Sequence, residues 1–282
     1  MKLSGKAKVA GVMGWPVGHS RSPMLHGHWL RQYGIDGAYV PMAVRPEKIG
    51  EALAALPALG LAGCNLTLPH KETALPHLAE IDSAARRIGA VNTIIVRADG
   101  SLAGSNTDAF GFLENLKAGA PNWRPAAGPA VMIGAGGAAR AVGVALIDAG
   151  VPEIRILNRT RARAETLAQQ LGANCRALDW DGRAKALDGA ALLVNTSSLG
   201  MAGQPPLDLA LDALPKSAVV NDIVYVPLET PLLAEARRSG HAVVDGLGML
   251  LHQGRPGFRA WFGVDPEVTR ALWDELAADI KK

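Results

Sequence analysis

Two α/β domains, the first with a mostly parallel sheet and the second able to hold a dinucleotide, are predicted by three features of this 282-residue chain. Strand and helix patterns alternate along its length, which is the order that builds parallel sheets covered by helices. The apolar run Val131-Met132-Ile133, too short for a helix, leads straight into Gly134-Ala135-Gly136-Gly137-Ala138-Ala139 and an alanine-rich helix closed by Gly150. Hydrophobic residues make up 49% of the chain and aromatics only 5%, so small side chains let helices lie close on strands, and the length is enough for two cores.

The elements follow in order. Strands are expected at Val9 to Met13, Ala38 to Val44 and Cys64 to Leu68, with helices at Pro23 to Gln32 and Glu47 to Leu56 between them. A helix over Ile81 to Ile88 precedes the strands Val91 to Val96 and Leu102 to Ser105, whose turn Ala98-Asp99-Gly100-Ser101 predicts an antiparallel hairpin at one sheet edge. A helix from about Asp108 to Lys117 crosses to the second domain, where Pro121, Pro125, Gly128 and Pro129 mark a loop. Further strands are expected at Ile154 to Leu157, Leu192 to Asn195, Val219 to Ile223 and Ala242 to Val244, and helices at Met249 to Phe262 and Pro266 to Lys281. The last two helices return to the first domain, so residues 1–110 with 247–282 form a substrate-binding and catalytic domain and 111–246 the nucleotide domain. A cleft between the two is the expected place for chemistry.

The glycine turn states what the second domain binds. Gly134 permits a tight turn, Gly136 lets backbone approach a pyrophosphate at the helix N-terminus, Ala139 takes the third position, where Gly or Ala allows close helix-to-strand packing, and Ala135, Gly137 and Ala138 are counted with them as cofactor-binding. This is a Rossmann fingerprint. Roughly twenty residues on, an NAD site carries an acidic residue for the ribose diol. Here the second strand ends in Asn158-Arg159-Thr160, followed by Arg163. A guanidinium binds a 2′-phosphate that a carboxylate would repel, so the expected cofactor is NADP.

Composition narrows the partners. Net charge is +3 with the arginines scattered apart from that cluster, so no basic stripe points to nucleic acid or a membrane surface. Cys64 and Cys175 lack metal-ligand spacing, and the seven histidines show no metal pattern, so no metal site is expected. The two cysteines read as buried thiols, and Trp261, Trp273 and Phe258 as core residues of the last helices. No stretch has the length of a signal or membrane segment, and the chain is expected to be cytoplasmic.

Three short motifs carry polar chemistry. In Gly18-His19-Ser20-Arg21-Ser22-Pro23, Ser22 is expected at an N-cap and Pro23 at N1; the hydroxyls of Ser20 and Ser22 with free N–H groups at a strand's carboxyl end make a carboxylate receptor, though the same residues also make an ordinary cap. Strand period puts Asn65 and Thr67 on the face opposite Cys64, Leu66 and Leu68, and Lys71 stands just past Pro69 at the start of a short helix, where the dipole disfavours a cation. With Asn92 and Asp108, these residues at strand ends form a polyhydroxyl-binding and acid/base constellation; taken singly, Lys71 reads as a surface lysine, and Asp108 reads also as part of a helix cap.

Taken together and in order, Ser20-Arg21-Ser22-Pro23, Asn65 to Lys71, Gly89 to Thr93, Gly104 to Asp108, Gly134 to Ala139, Asn158 to Thr160, Asn195 to Met201, Asp222 to Pro227 and Met249 to Gly254 resemble the shikimate dehydrogenase family over nearly the whole chain. The resemblance implies NADPH-dependent reduction of 3-dehydroshikimate to shikimate, with Ser20 and Ser22 on the substrate carboxylate. It further implies that Asn65, Thr67, Asn92, Asp108 and Gln253 meet ring hydroxyls, that Lys71 and Asp108 are the catalytic pair, that Tyr225 lies at the substrate, and that Ile223 and Gly246 lie beside the nicotinamide. Leu66 and Leu68 depart from the family's usual valine or isoleucine, and Gly27 from its usual polar residue, none at an implied ligand position. A quinate/shikimate dehydrogenase using NAD or NADP is the neighbouring alternative, and a non-catalytic shikimate-sensing regulator is one from another class. Shikimate or 3-dehydroshikimate is the expected small-molecule partner, and the chain would act as a monomer or homodimer.

Overall fold

The computed structural model describes residues 3–280. Two compact units emerge, one running to Thr107 and resuming over Gln253–Leu276, the other Asp108–His252 with the chain from Ala277. These bounds differ from the expected 247–282 return, because one continuous helix spans residue 252 and its Met249 packs on the second unit's core. The expected helix end at Lys281 lies outside the described residues.

The first unit contains β1 (Lys8–Gly14), α1 (Ser22–Gln32), β2 (Gly37–Ala43), α2 (Ile49–Ala58), β3 (Leu61–Leu66), α3 (His70–Thr73), β4 (Glu80–Ile81), α4 (Ser83–Ile88), β5 (Thr93–Val96) and β6 (Leu102–Ser105). Its sheet runs β2-β1-β3-β5-β6-β4. β1 pairs in parallel with β2 and β3, and β4 with β6, whereas β5 runs antiparallel to β3 and β6. The sheet is therefore mixed, and the β5–β6 hairpin is not at the edge. Glu80–Ile81 covers it, a strand too short to show a period in sequence.

The geometry places several loops at one end of this sheet. The carboxyl ends of β1, β3 and β6 and the amino end of β5 coincide, because β5 runs opposite to its neighbours. β3 stops at Leu66, two residues earlier than expected, and Leu68 is 73% exposed, so it does not share the inward face with Cys64 and Leu66.

Two C-terminal helices, over Leu247–Phe262 and Arg270–Ile280, return to this unit between Gln253 and Leu276. Leu25 and Trp29 of α1, one helical turn apart, are fully buried with Phe258 and Trp261. Trp261 Nε1 donates to the Ile94 carbonyl at 3.0 Å, and Trp29 Nε1 to the Glu267 carbonyl at 3.0 Å. Gly63 is what allows the first of these. Its φ is +149°, and a Cβ there would lie 2.1 Å from the Ile94 oxygen and 2.4 Å from the Trp261 nitrogen. Trp273, expected in the core, instead lies half exposed beneath the Arg270 guanidinium, 4.6 Å from the ring centre.

The second unit contains α5 (Asp108–Gly119), β7 (Ala130–Ile133), α6 (Gly137–Asp148), β8 (Ile154–Leu157), α7 (Arg161–Leu171), β9 (Cys175–Leu178), β10 (Leu192–Asn195), β11 (Val219–Asp222), α8 (Pro231–Arg238), β12 (Ala242–Val244) and the first part of α9 (Leu247–Phe262); α10 is Arg270–Ile280. All six strands are parallel in the order β12-β11-β10-β7-β8-β9, a Rossmann sheet. β7 and β10 are buried along their whole length because a core covers each face. Ala130, Met132, Leu192 and Val194 join one core; Val131, Ile133 and Leu193 join the other. Strand order reverses between β7 and β10, the switch point outside which ligands of such sheets bind. Both cysteines are buried, and burial pushes the Cys175 thiol up to about 11. Among the described residues, no helix is long and apolar enough to cross a membrane and no cluster of His, Cys, Asp or Glu is placed to hold a metal.

Candidate active site

Polar side chains gather at the end of the first sheet where the four strand termini meet. After β1, α1 begins at Ser22, with Arg21 at the N-cap in a near-helical conformation and no side-chain cap bond. Ser22 therefore occupies N1 and Pro23 N2, one place later in the helix than expected. Ser20 Oγ accepts the Ser22 N–H at 3.3 Å, which leaves its hydroxyl hydrogen to donate elsewhere. Ser22 itself is buried.

The centre of the cluster is a directed set of amide contacts. Asn65 Nδ2 donates to the Asn92 carbonyl at 2.9 Å and to Thr93 Oγ1 at 3.1 Å. Asn92 Oδ1 accepts from Thr93 Oγ1 at 2.9 Å, from the Thr107 N–H at 2.9 Å and from Thr107 Oγ1 at 3.1 Å. With that oxygen saturated, Asn92 presents its amide nitrogen as donor, and Gln253 Oε1 lies 3.5 Å from it. All of this is buried or half-buried, so each bond replaces one that water would otherwise make.

Lys71 is brought to this group by its backbone. β3 ends at Leu66 and α3 starts at His70, and the Lys71 carbonyl accepts the Val91 N–H at 2.8 Å, one residue before Asn92. Thr67 follows the last residue of β3; its N–H donates to the Met13 carbonyl at 2.9 Å, and its methyl packs on Gly14, where a Cβ would come within 2.5 Å. Asp108 opens α5 directly after the anchored Thr107, and it belongs to the second unit. Lys71, Asp108, Tyr225 and Gln253 are all half-buried.

In the second unit, Gly134 ends β7 with φ +110°, and a Cβ would lie 2.7 Å from Thr196 Oγ1, so only glycine makes this turn. Around Gly136 nothing lies within 4 Å of a Cβ position, and α6 opens there with no side-chain cap and no acidic residue in its first turn. Backbone donors facing open space fit the pyrophosphate of a dinucleotide. Gly137 is exposed beside Gly136, while Ala135 and Ala138 are half-buried. Asn158 Nδ2 donates to the Thr160 carbonyl at 2.8 Å and so shapes the turn after β8. Arg161 is engaged by Glu165 and Asp179, whereas among the described residues no carboxylate pairs with the exposed Arg159 and Arg163. The residues present fit NADP.

The turn after β11 holds Ile223 and Tyr225. Asp222, fully buried, accepts from Asn195 Nδ2 at 3.0 Å, the Val224 N–H at 3.0 Å and Thr230 Oγ1 at 2.7 Å. Gly246 lies against it, since a Cβ would meet the Ile223 oxygen at 2.2 Å. Sequence reading gave Asp222 no role of its own; an acidic residue closing an apolar strand was the available signal. Burial pushes its carboxyl up to about 6 against the pull of these three bonds. A raised folded pKa means the contribution is complete below about pH 4 and is lost as pH rises through about 6. Asp222→Asn is expected to show this: measured by urea unfolding, the wild type's stability relative to the variant should fall by up to about 3 kcal/mol between pH 4 and 7. A pH-independent difference would contradict it.

Residues 12–94 match the shikimate dehydrogenase substrate binding domain, 125–199 the shikimate / quinate 5-dehydrogenase family, and 246–271 the shikimate 5′-dehydrogenase C-terminal domain. The shikimate dehydrogenase (NADP(+)) of Rhodospirillum rubrum is 64% identical over 274 residues, covering 96% of this chain and 97% of that protein. The shikimate 5-dehydrogenase of Thermus thermophilus, solved with NADP(H) and shikimate, superposes with a TM-score of 0.84 at 40% identity, over 97% of this chain and 99% of that one. Quinate dehydrogenase from Corynebacterium glutamicum, solved with NAD, gives a TM-score of 0.89 at 31% identity, over 96% and 99% of the two chains. The chain belongs to the NADP-dependent shikimate dehydrogenase family, oxidoreductases of the shikimate pathway.

Proposed function

We propose that this chain reduces 3-dehydroshikimate to shikimate reversibly, with Lys71 and Asp108 as its catalytic pair. The observation that carries the reading is the directed polar row at one end of the first sheet, where donors and acceptors of fixed polarity lie next to the segment that the Lys71 carbonyl anchors through Val91. NADPH, when bound, supplies the hydride. Negative charge grows on the ring oxygen, and the Lys71 ammonium stabilises it and donates or relays the proton. Asp108 orients that ammonium and accepts from the adjacent hydroxyl. Ser20 and Ser22 hold the carboxylate, and Asn65, Thr67, Asn92, Tyr225 and Gln253 contact the rest of the substrate. Gly134 to Ala138 receive the pyrophosphate, Asn158, Arg159, Thr160 and Arg163 the 2′-phosphate, and Ile223 and Gly246 flank the nicotinamide. The first domain thus binds substrate and the second cofactor, in a cytoplasmic monomer or homodimer.

The carboxylate keeps its charge through hydride transfer, so its ligands contribute uniform binding. Ser20→Ala and Ser22→Ala are each expected to raise the KM for shikimate roughly tenfold or more, the effect of losing a charge-assisted hydrogen bond, with kcat little changed. Steady-state rates of NADP reduction by each variant check this. A variant that lost turnover at saturating shikimate but kept its KM would give that serine another role.

A further inference from the structure

Behind the row of substrate contacts sits a residue that sequence reading passed over. Tyr39, on β2, is 7% exposed, and its hydroxyl donates to Asn65 Oδ1 at 2.6 Å. The Ser22 hydroxyl also lies beside that phenol. The ring is fixed from its other side. His26 of α1, fully buried, stacks on it with centroids 3.9 Å apart and planes 7° from parallel. Neither nitrogen of His26 has a hydrogen-bond partner among the described residues. Burial drives that imidazole down to about 3, the neighbouring Asn65 side chain opposing it, so the stack is neutral at physiological pH.

The consequence falls on Asn65. Both hydrogens of its Nδ2 are committed, to the Asn92 carbonyl at 2.9 Å and to Thr93 Oγ1 at 3.1 Å. Its Oδ1 accepts from Tyr39 and has one lone pair left. The amide therefore cannot turn over without breaking three bonds. Asn92 has the opposite polarity, with its oxygen saturated by three donors.

We propose that Tyr39 is a positioning residue for substrate binding: its hydroxyl locks the Asn65 amide so that Asn65 meets a substrate hydroxyl as acceptor while Asn92 meets one as donor. This rests on the reading that Asn65 contacts the substrate. Tyr39 touches neither the reacting atoms nor the cofactor; it acts through Asn65. The pair Asn65 and Asn92 then reads a vicinal diol by polarity, one hydroxyl giving its hydrogen and its neighbour receiving one. A polyol acid with the wrong arrangement of hydroxyls leaves a buried amide unpaired, which costs more than the contact itself contributes.

The test is a double-mutant cycle on the full chain, read as steady-state constants. Tyr39→Phe keeps the ring and its stack on His26 and removes only the hydroxyl. It is expected to raise the KM for shikimate roughly tenfold, with kcat and the KM for NADP within about twofold of the wild type. In the Asn65→Ala background the same change should move the KM for shikimate by less than about twofold, because the amide it positions is gone. An unchanged KM in Tyr39→Phe overturns the proposal, and so do effects that multiply independently in the double variant. If Asn65→Ala alone leaves the KM for shikimate unchanged, the underlying reading of Asn65 as a substrate contact fails, a result distinct from the failure of Tyr39 to act through it.

Discussion

Lys71→Ala is expected to lower kcat by about 10² to 10⁴ with little change in the KM for shikimate. The reason lies in which interactions change during the reaction. Charge on the ring oxygen develops only in the transition state, so removing the cation proposed to meet it would remove differential stabilisation. The ground-state contacts survive, because Asn65, Asn92 and Thr107 hold one another through bonds in which the lysine side chain takes no part. The segment carrying Lys71 also stays in place, since its backbone carbonyl is what accepts the Val91 N–H. Single-turnover rates at saturating substrate and cofactor check this. A folded variant with near-normal turnover would remove Lys71 from the chemistry.

Asn158→Asp combined with Arg159→Ala is expected to raise the KM for NADP roughly a hundredfold and to narrow or invert the preference over NAD. Two effects add here. The guanidinium proposed to pair with the 2′-phosphate is lost, and a carboxylate appears where it would repel that phosphate and could accept from a ribose diol. Arg161 cannot take over, since Glu165 and Asp179 already hold it. The phosphate lies far from the transferred hydride, so kcat with saturating NADP should change little. Steady-state constants for both cofactors measure the shift; an undiminished NADP preference would assign phosphate recognition to Arg163 or elsewhere.

How much of this could be read from sequence depended on how local the chemistry is. The nucleotide site is a run of consecutive residues: strand, glycines, helix, second strand and arginines lie within Val131 to Arg163, and each follows from its neighbours. That Arg161 is engaged while Arg159 and Arg163 are not depends on Asp179, eighteen residues further on, and could not be read. Ser22 stands one helical position later than the sequence predicts because Arg21, a poor capping residue by preference, adopts the N-cap place itself. β4 and β9 escaped notice for different reasons. Glu80–Ile81 is a pairing rather than a pattern, and Cys175–Leu178 carries an arginine where a buried strand would show an apolar residue.

Asn65, Asn92 and Thr67 are visible as polar residues on or beside apolar strands, but the direction in which the two asparagine amides point is not. That direction is set by Tyr39, Thr93 and Thr107, which come from other strands or from loops, and only the register of the sheet brings them together. A tyrosine amid Ala38-Tyr39-Val40 gives one usable signal: a buried phenol needs a partner. It does not say which one.

The most direct measurement is an initial-rate matrix of shikimate and quinate against NADP and NAD with the wild-type chain. On the reading that Arg159 receives the 2′-phosphate and that the substrate is shikimate rather than quinate, shikimate with NADP should turn over far faster than any other combination. Equal rates with both cofactors, or with both acids, would contradict it.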